Sequence, residues 1–152
     1  MLQLYKTFIR PHLEYCSSVW DPYLIKDVEA LEKVQRFGLR VCLKKWDLDQ
    51  EQLLHAAGVV SLSDRRARAK LSHLFILVNR LIDYPDAPLY RKVHHYNARQ
   101  SNTKQLIIPR ARTLQFQRSF FPDTVKCWNS LPPDSISCTS LPIFKKSLCG
   151  HN

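Results

Sequence analysis

His12 and Cys16 stand one helical turn apart, the spacing at which an imidazole can activate a thiol. Such a pair also needs a group to orient the imidazole and donors for an oxyanion, and no such set is visible around it. Cys16 therefore reads as a small side chain on an apolar face. Two-metal phosphoryl transfer needs clustered carboxylates. No Asp-Asp pair occurs, and residues 61–152 carry only Asp64, Asp83, Asp86, Asp123 and Asp134. Cys127, Cys138, Cys149 and His151 invite a zinc reading, but ten residues separate each successive pair of these cysteines. That fits no common structural-zinc spacing. The chain has three glycines, and neither GxGxxG nor GxxxxGK[ST] appears. The expectation is a chain without catalytic residues, metal or cofactor.

The basic residues offer more. Arg65, Arg66, Arg68 and Lys70 fall in the first two turns of a predicted helix, where cations oppose the helix dipole at about 0.3–1 kcal/mol each. A phosphate would supply a reason, because backbone N–H groups and arginine forks would then face one anion. Pairing with the acids of residues 21–51 is the alternative. A looser series, Lys104, Arg110, Arg112 and Arg118, is interleaved with Phe116, Phe120 and Phe121. Arginines and aromatics together suit a nucleic-acid backbone and its bases. The phenylalanines equally suit a core.

Charge totals point the same way. Residues 1–60 hold eight Lys/Arg and eight Asp/Glu, whereas residues 61–152 hold fifteen against five. The whole net charge of +10 therefore resides in the second part, as a polyanion partner would favour. The longest apolar run, Leu74–Val78, is far short of the ~20 residues of a bilayer span. No secretory leader pattern opens the chain. Five cysteines without a CxxC pair suit a reducing compartment, nuclear or cytoplasmic.

The elements that must position these residues are helices. Leu4, Tyr5, Phe8, Ile9, Leu13, Cys16 and Trp20 trace an apolar stripe through Pro11, predicting a proline-kinked first helix that buries Phe8, Leu13 and Trp20. Asp21-Pro22 reads as an N-cap for a helix over about 22–43. Asp49 with Gln52, closed by Gly58, predicts a short helix over 50–57. Ser61 with Asp64 opens a second long helix over about 62–83, with Leu71, Leu74, Phe75, Val78, Leu81 and Ile82 on one face. Residues 105–108 read as one short strand without an evident partner. Helices return around Val125 and Trp128, and again after Ser140, with Leu141, Phe144 and Leu148 on one face. The fold class is mainly α, a bundle of about five to six helices. Residues 1–83 form the bundle, 84–118 a long irregular basic connection, and 119–152 a C-terminal helical segment packing back on it, all in one structural domain.

Six segments, taken in order, carry a resemblance. LYKTFIRPHLEYCSSVWDP (4–22), LEKVQRFGLR (31–40), SLSDRRARAKL (61–71), IPRARTLQFQRSFFP (108–122), WNSLP (128–132) and SLPIFKKSL (140–148) resemble the C-terminal region of jockey-like non-LTR retrotransposon reverse transcriptases. The resemblance spans nearly the whole chain. It implies a helical thumb and the segment after it, which hold a primer–template duplex by its backbone. The polymerase's catalytic aspartates would lie in an upstream palm, absent here, so the chain is expected not to be an enzyme. The kinked first helix would then continue from that palm, with Met1 a secondary start or a gene-model boundary. One departure stands out: the family usually carries a second arginine after Gln-Arg, where this chain has Phe37-Gly38, which should weaken the helix there.

The expected partners are RNA, DNA or an RNA–DNA hybrid, met through backbone phosphates, and the missing palm; no membrane role is expected. Arg65, Arg66, Arg68, Lys70, Lys104, Arg110, Arg112 and Arg118 are the candidate contacts. The competing readings are a relic reading frame without a partner and a domesticated protein-interaction module.

Overall fold

The computed structural model describes residues 1–82 and 105–149. The protein is mainly α-helical, and no β-strand forms among the described residues. No helix among them is long and apolar enough to cross a membrane. The chain divides into two compact units, Met1–Ala67 and Arg68–Asn152. The division falls inside the second long helix.

In the first unit, α1 (Leu2–Leu4), a π-helical turn (Tyr5–Ile9) and α2 (Arg10–Glu14) follow one another directly. Pro11 is the physical reason for the wide turn. Its ring has no N–H to give the carbonyl four residues back and would clash with it, and a π-turn re-routes those bonds. The predicted helix does not continue to Trp20. Tyr15 leaves helical geometry, Cys16 takes a left-handed conformation at φ 50°, and a separate turn, α3 (Ser17–Trp20), begins. The stripe is consequently broken: Phe8 is 65% and Trp20 40% exposed, Leu13 is half-buried, and Cys16 lies at the surface, not in the core. The buried member is Tyr5, which packs with Leu39 and Ala57.

α4 (Ile25–Leu43) starts after Leu24, three residues later than predicted, because Asp21 is not its cap. The helix runs unbroken through Gly38, and the missing side chain has a use. A Cβ there would lie 2.9 Å from Tyr5 Cε2. Glycine is what lets the Tyr5 ring lie against α4. α5 (Gln50–Ala57) is as expected, with the Asp49–Gln52 capping box and Gly58 at φ 57° closing it.

α6 (Leu62–Val78) stops short of 83. Arg80 adopts φ 51°, and the Leu81 amide donates back to the Ile76 carbonyl at 3.0 Å, a Schellman-type end. Leu81 and Ile82 leave the apolar face and are exposed.

The second unit closes around aromatics. α7 (Leu114–Gln117), α8 (Phe120–Asn129), α9 (Pro133–Ile136) and α10 (Leu141–Cys149) supply Val125, Trp128, Ile136, Phe144 and Leu148 to a core with Leu71, Leu74 and Phe75 of α6. Phe75 and Phe144 stack with ring centres 4.5 Å apart, and Trp128 lies 5.7 Å from Phe144. Val125, Trp128, Ile136, Phe144 and Leu148 thereby pack on the α6 segment of this unit. The expected strand is absent. Leu106 is buried, and its N–H and C=O are both met by the Asn129 carboxamide, at 3.1 and 2.8 Å. One side chain thus serves as the partner that an isolated strand would lack.

Candidate nucleic-acid interface

Two groups of cations were expected to meet phosphate, and the fold treats them differently. At the start of α6 the anion is internal. The Asp64 amide donates to Ser61 Oγ at 3.0 Å, and the Ser63 amide donates to the Glu32 carboxylate at 2.8 Å. A carboxylate at a helix N-terminus is favourable for the same reasons a phosphate would be. Glu32 is buried, so this contact is a cap held across from α4.

The arginines beside it follow suit. Arg65 donates through Nε and, at 2.9 Å, through Nη2 to the two oxygens of Glu14, a bidentate fork. That bond pushes the Arg65 guanidinium above its ordinary value. Arg66 donates through Nε to Asp21 at 2.7 Å, and its side chain is 1% exposed. In the second unit, Lys70 Nζ donates to Asp123 at 2.7 Å and is likewise buried. Arg68 is half-buried, with Nη1 donating to Cys149 Sγ at 3.4 Å. The expectation of phosphate contact therefore needs revision for Arg65, Arg66 and Lys70. A guanidinium enclosed at 1% exposure cannot reach an external polyanion without unfolding its surroundings. The alternative of internal pairing is realised with a wider set of acids than residues 21–51, since Glu14 and Asp123 take part.

The second group is presented to solvent. Arg110, Arg112 and Arg118 are exposed and form no ion pair among the described residues. Thr113 caps α7 by accepting from the Phe116 amide, which anchors this otherwise irregular segment. No acid occurs from residue 105 to 122. Phe116 is exposed here, contrary to a core role, while Phe120 and Phe121 are half-buried and meet edge to face at 5.0 Å. Lys104 lies outside the described residues.

The chemical candidates are dispersed. Among the described residues, no three of His, Cys, Asp and Glu converge as a metal-binding group, and His151 lies outside them. Cys16, Cys42, Cys127, Cys138 and Cys149 are free thiols. Asp21 is among the acids of residues 21–51 named as alternative partners, whereas Glu14 and Asp123 were missed because they lie 51 and 53 residues from Arg65 and Lys70 in sequence. Only the excess of cations over local acids hinted at them. Comparison with family models, with curated proteins and with solved structures gave no match.

Proposed function

We propose that the chain is a non-catalytic nucleic-acid-binding region, the thumb and post-thumb part of a non-LTR retrotransposon reverse transcriptase. In this reading it holds the backbone of an RNA–DNA primer–template. The observation that carries it is the exposed strip Arg110, Arg112 and Arg118 in a stretch free of acids, within the half of the chain that holds all the excess charge. The six-segment resemblance supports the same reading, and the helical fold agrees with it. Binding is expected through phosphates, so affinity for an RNA–DNA hybrid should fall linearly in log–log form as salt rises. The test is a salt series on purified protein with a hybrid duplex. A salt-independent affinity, or none at low salt, would remove this function.

A second reading has its own support. Phe8, Tyr15, Val19, Trp20 and Ile25 are exposed large apolar side chains in the first unit. A protein partner would cover them, whether the palm of the proposed polymerase or, for a domesticated interaction module, another protein. Loss of dye binding or of aggregation on adding a candidate partner distinguishes it from the first.

A further inference from the structure

The exposed strip carries more than charge. Ile107, Ile108, Leu114 and Phe116 are between 47% and 58% exposed, in the same stretch as Arg110, Arg112 and Arg118. A duplex offers the outside of its backbone, where the bases are stacked away and exposed apolar side chains gain little. A single strand offers phosphates and unstacked base faces together. We infer that residues 107–118 form a single-strand-binding strip, with the three arginines on phosphates and Phe116 stacked on an unpaired base. The inference rests on the nucleic-acid reading above and assigns this strip to the unpaired strand that a primer–template carries beside its duplex.

Several features make the strip suitable. The internal pairing of Arg65, Arg66 and Lys70 removes the cations best placed to grip a duplex from a rigid helix. The Thr113 cap fixes the short α7, so the Phe116 ring is held out from a helical turn and not lost in a collapsed loop. Arginine planes next to an exposed ring also stack on bases, which a purely electrostatic contact would not require. An anionic membrane is the other surface with both charge and apolar depth. Membrane-binding basic clusters usually count about four to eight cations, more than the three exposed here. α7 is four residues long, too short to lay an amphipathic face into an interface.

The experiment compares three ligands by fluorescence anisotropy on the full chain: oligothymidylate, an abasic deoxyribose-phosphate oligomer of equal length, and an RNA–DNA hybrid. Vesicles of phosphatidylcholine with phosphatidylserine serve as a fourth arm, read by co-sedimentation. Oligothymidylate should bind about five- to a hundredfold more tightly than the abasic oligomer, the range expected for one stacked base. Phe116→Ala should remove that difference and leave binding to the abasic oligomer unchanged, while Phe116→Trp should retain it. Phe116 is exposed, so neither substitution should disturb the fold. Arg110→Gln, Arg112→Gln and Arg118→Gln together should weaken both oligomers and flatten the salt slope by about two units on a single strand. Equal affinity for thymidylate and abasic oligomers, or preference for the hybrid with Phe116→Ala silent, overturns the single-strand inference and leaves the nucleic-acid reading standing. Binding to vesicles without binding to any nucleic acid overturns both.

Discussion

Tyr5 concentrates several of the forces in the first unit into one side chain. It is 1% exposed, its hydroxyl has no hydrogen-bond partner among the described residues, and its ring occupies the space left by Gly38. Burial, with Glu14 and Glu32 adding to it and Arg10 opposing, pushes its ionisation up to about 12 from 10.0. The folded form thus favours the neutral phenol. Its contribution is complete below pH 10 and is lost as pH rises towards 12, because there the unfolded chain ionises first. Stability in urea titrations should fall by about 2 kcal/mol across that window on account of Tyr5. Tyr5→Phe should abolish this part of the fall. At neutral pH the same variant should be as stable as the parent or about 1 kcal/mol more so, since an unpaired buried hydroxyl is removed. Gly38→Ala sets two effects against each other: a helix gain of about 1 kcal/mol and an overpacking cost of about 1–3 kcal/mol against a ring that cannot swing away. Net destabilisation is expected, and it should turn into a gain of about 1 kcal/mol when Tyr5 is first replaced by leucine. Additivity of the two changes would show that ring and Cβ do not meet.

At the scale of elements, the start of α6 is a helix end neutralised by the chain itself. Glu32 meets the Ser63 N–H, Ser61 meets the Asp64 N–H, Glu14 and Asp21 meet Arg65 and Arg66, and a phosphate would find its place taken. Asp21→Asn should cost about 3–5 kcal/mol, because it leaves the Arg66 charge buried without its carboxylate. Arg65→Gln, at a half-exposed fork, should cost about 1 kcal/mol or less. Thermal or urea melts of the two variants decide the matter, and equal small losses would mean that Arg66 finds other compensation. Which elements were legible in sequence follows from range. The Asp49–Gln52 box, Gly58 and Ser61 act within four residues, and each of those helix ends lies where it was expected. The first helix and Asp21 were misread because tertiary contacts compete with local signals. Asp21 looks like a cap before proline, yet its carboxylate is drawn to Arg66. Leu106 looked like a strand in want of a partner, and nothing local shows that Asn129 supplies one from 23 residues away.

Across the whole molecule, the candidate site divides between what composition shows and what only folding decides. The excess of cations after residue 60 was visible at once. Which of them are free to face a ligand was not, because exposure depends on where the acids fold to. The same holds for the apolar surface: Phe8 sits on a helical stripe that reads as core, yet it is 65% exposed, and Val19 is 84% exposed as well. Phe8→Ser with Val19→Ser should lower hydrophobic-dye binding while changing stability by no more than about 0.5 kcal/mol. A large stability loss would place those side chains in contacts within the chain.

The central claim is that nucleic acid is met by the 110–118 arginines and not by the cations that start α6. A salt series on an RNA–DNA hybrid tests it most directly, with the parent protein, the triple variant Arg110→Gln, Arg112→Gln and Arg118→Gln, and Arg65→Gln compared side by side. The triple variant should keep the parent's melting behaviour and flatten the log–log slope by about two to three units, whereas Arg65→Gln should leave the slope unchanged. A flattened slope for Arg65→Gln with an unaltered slope for the triple variant would contradict the account.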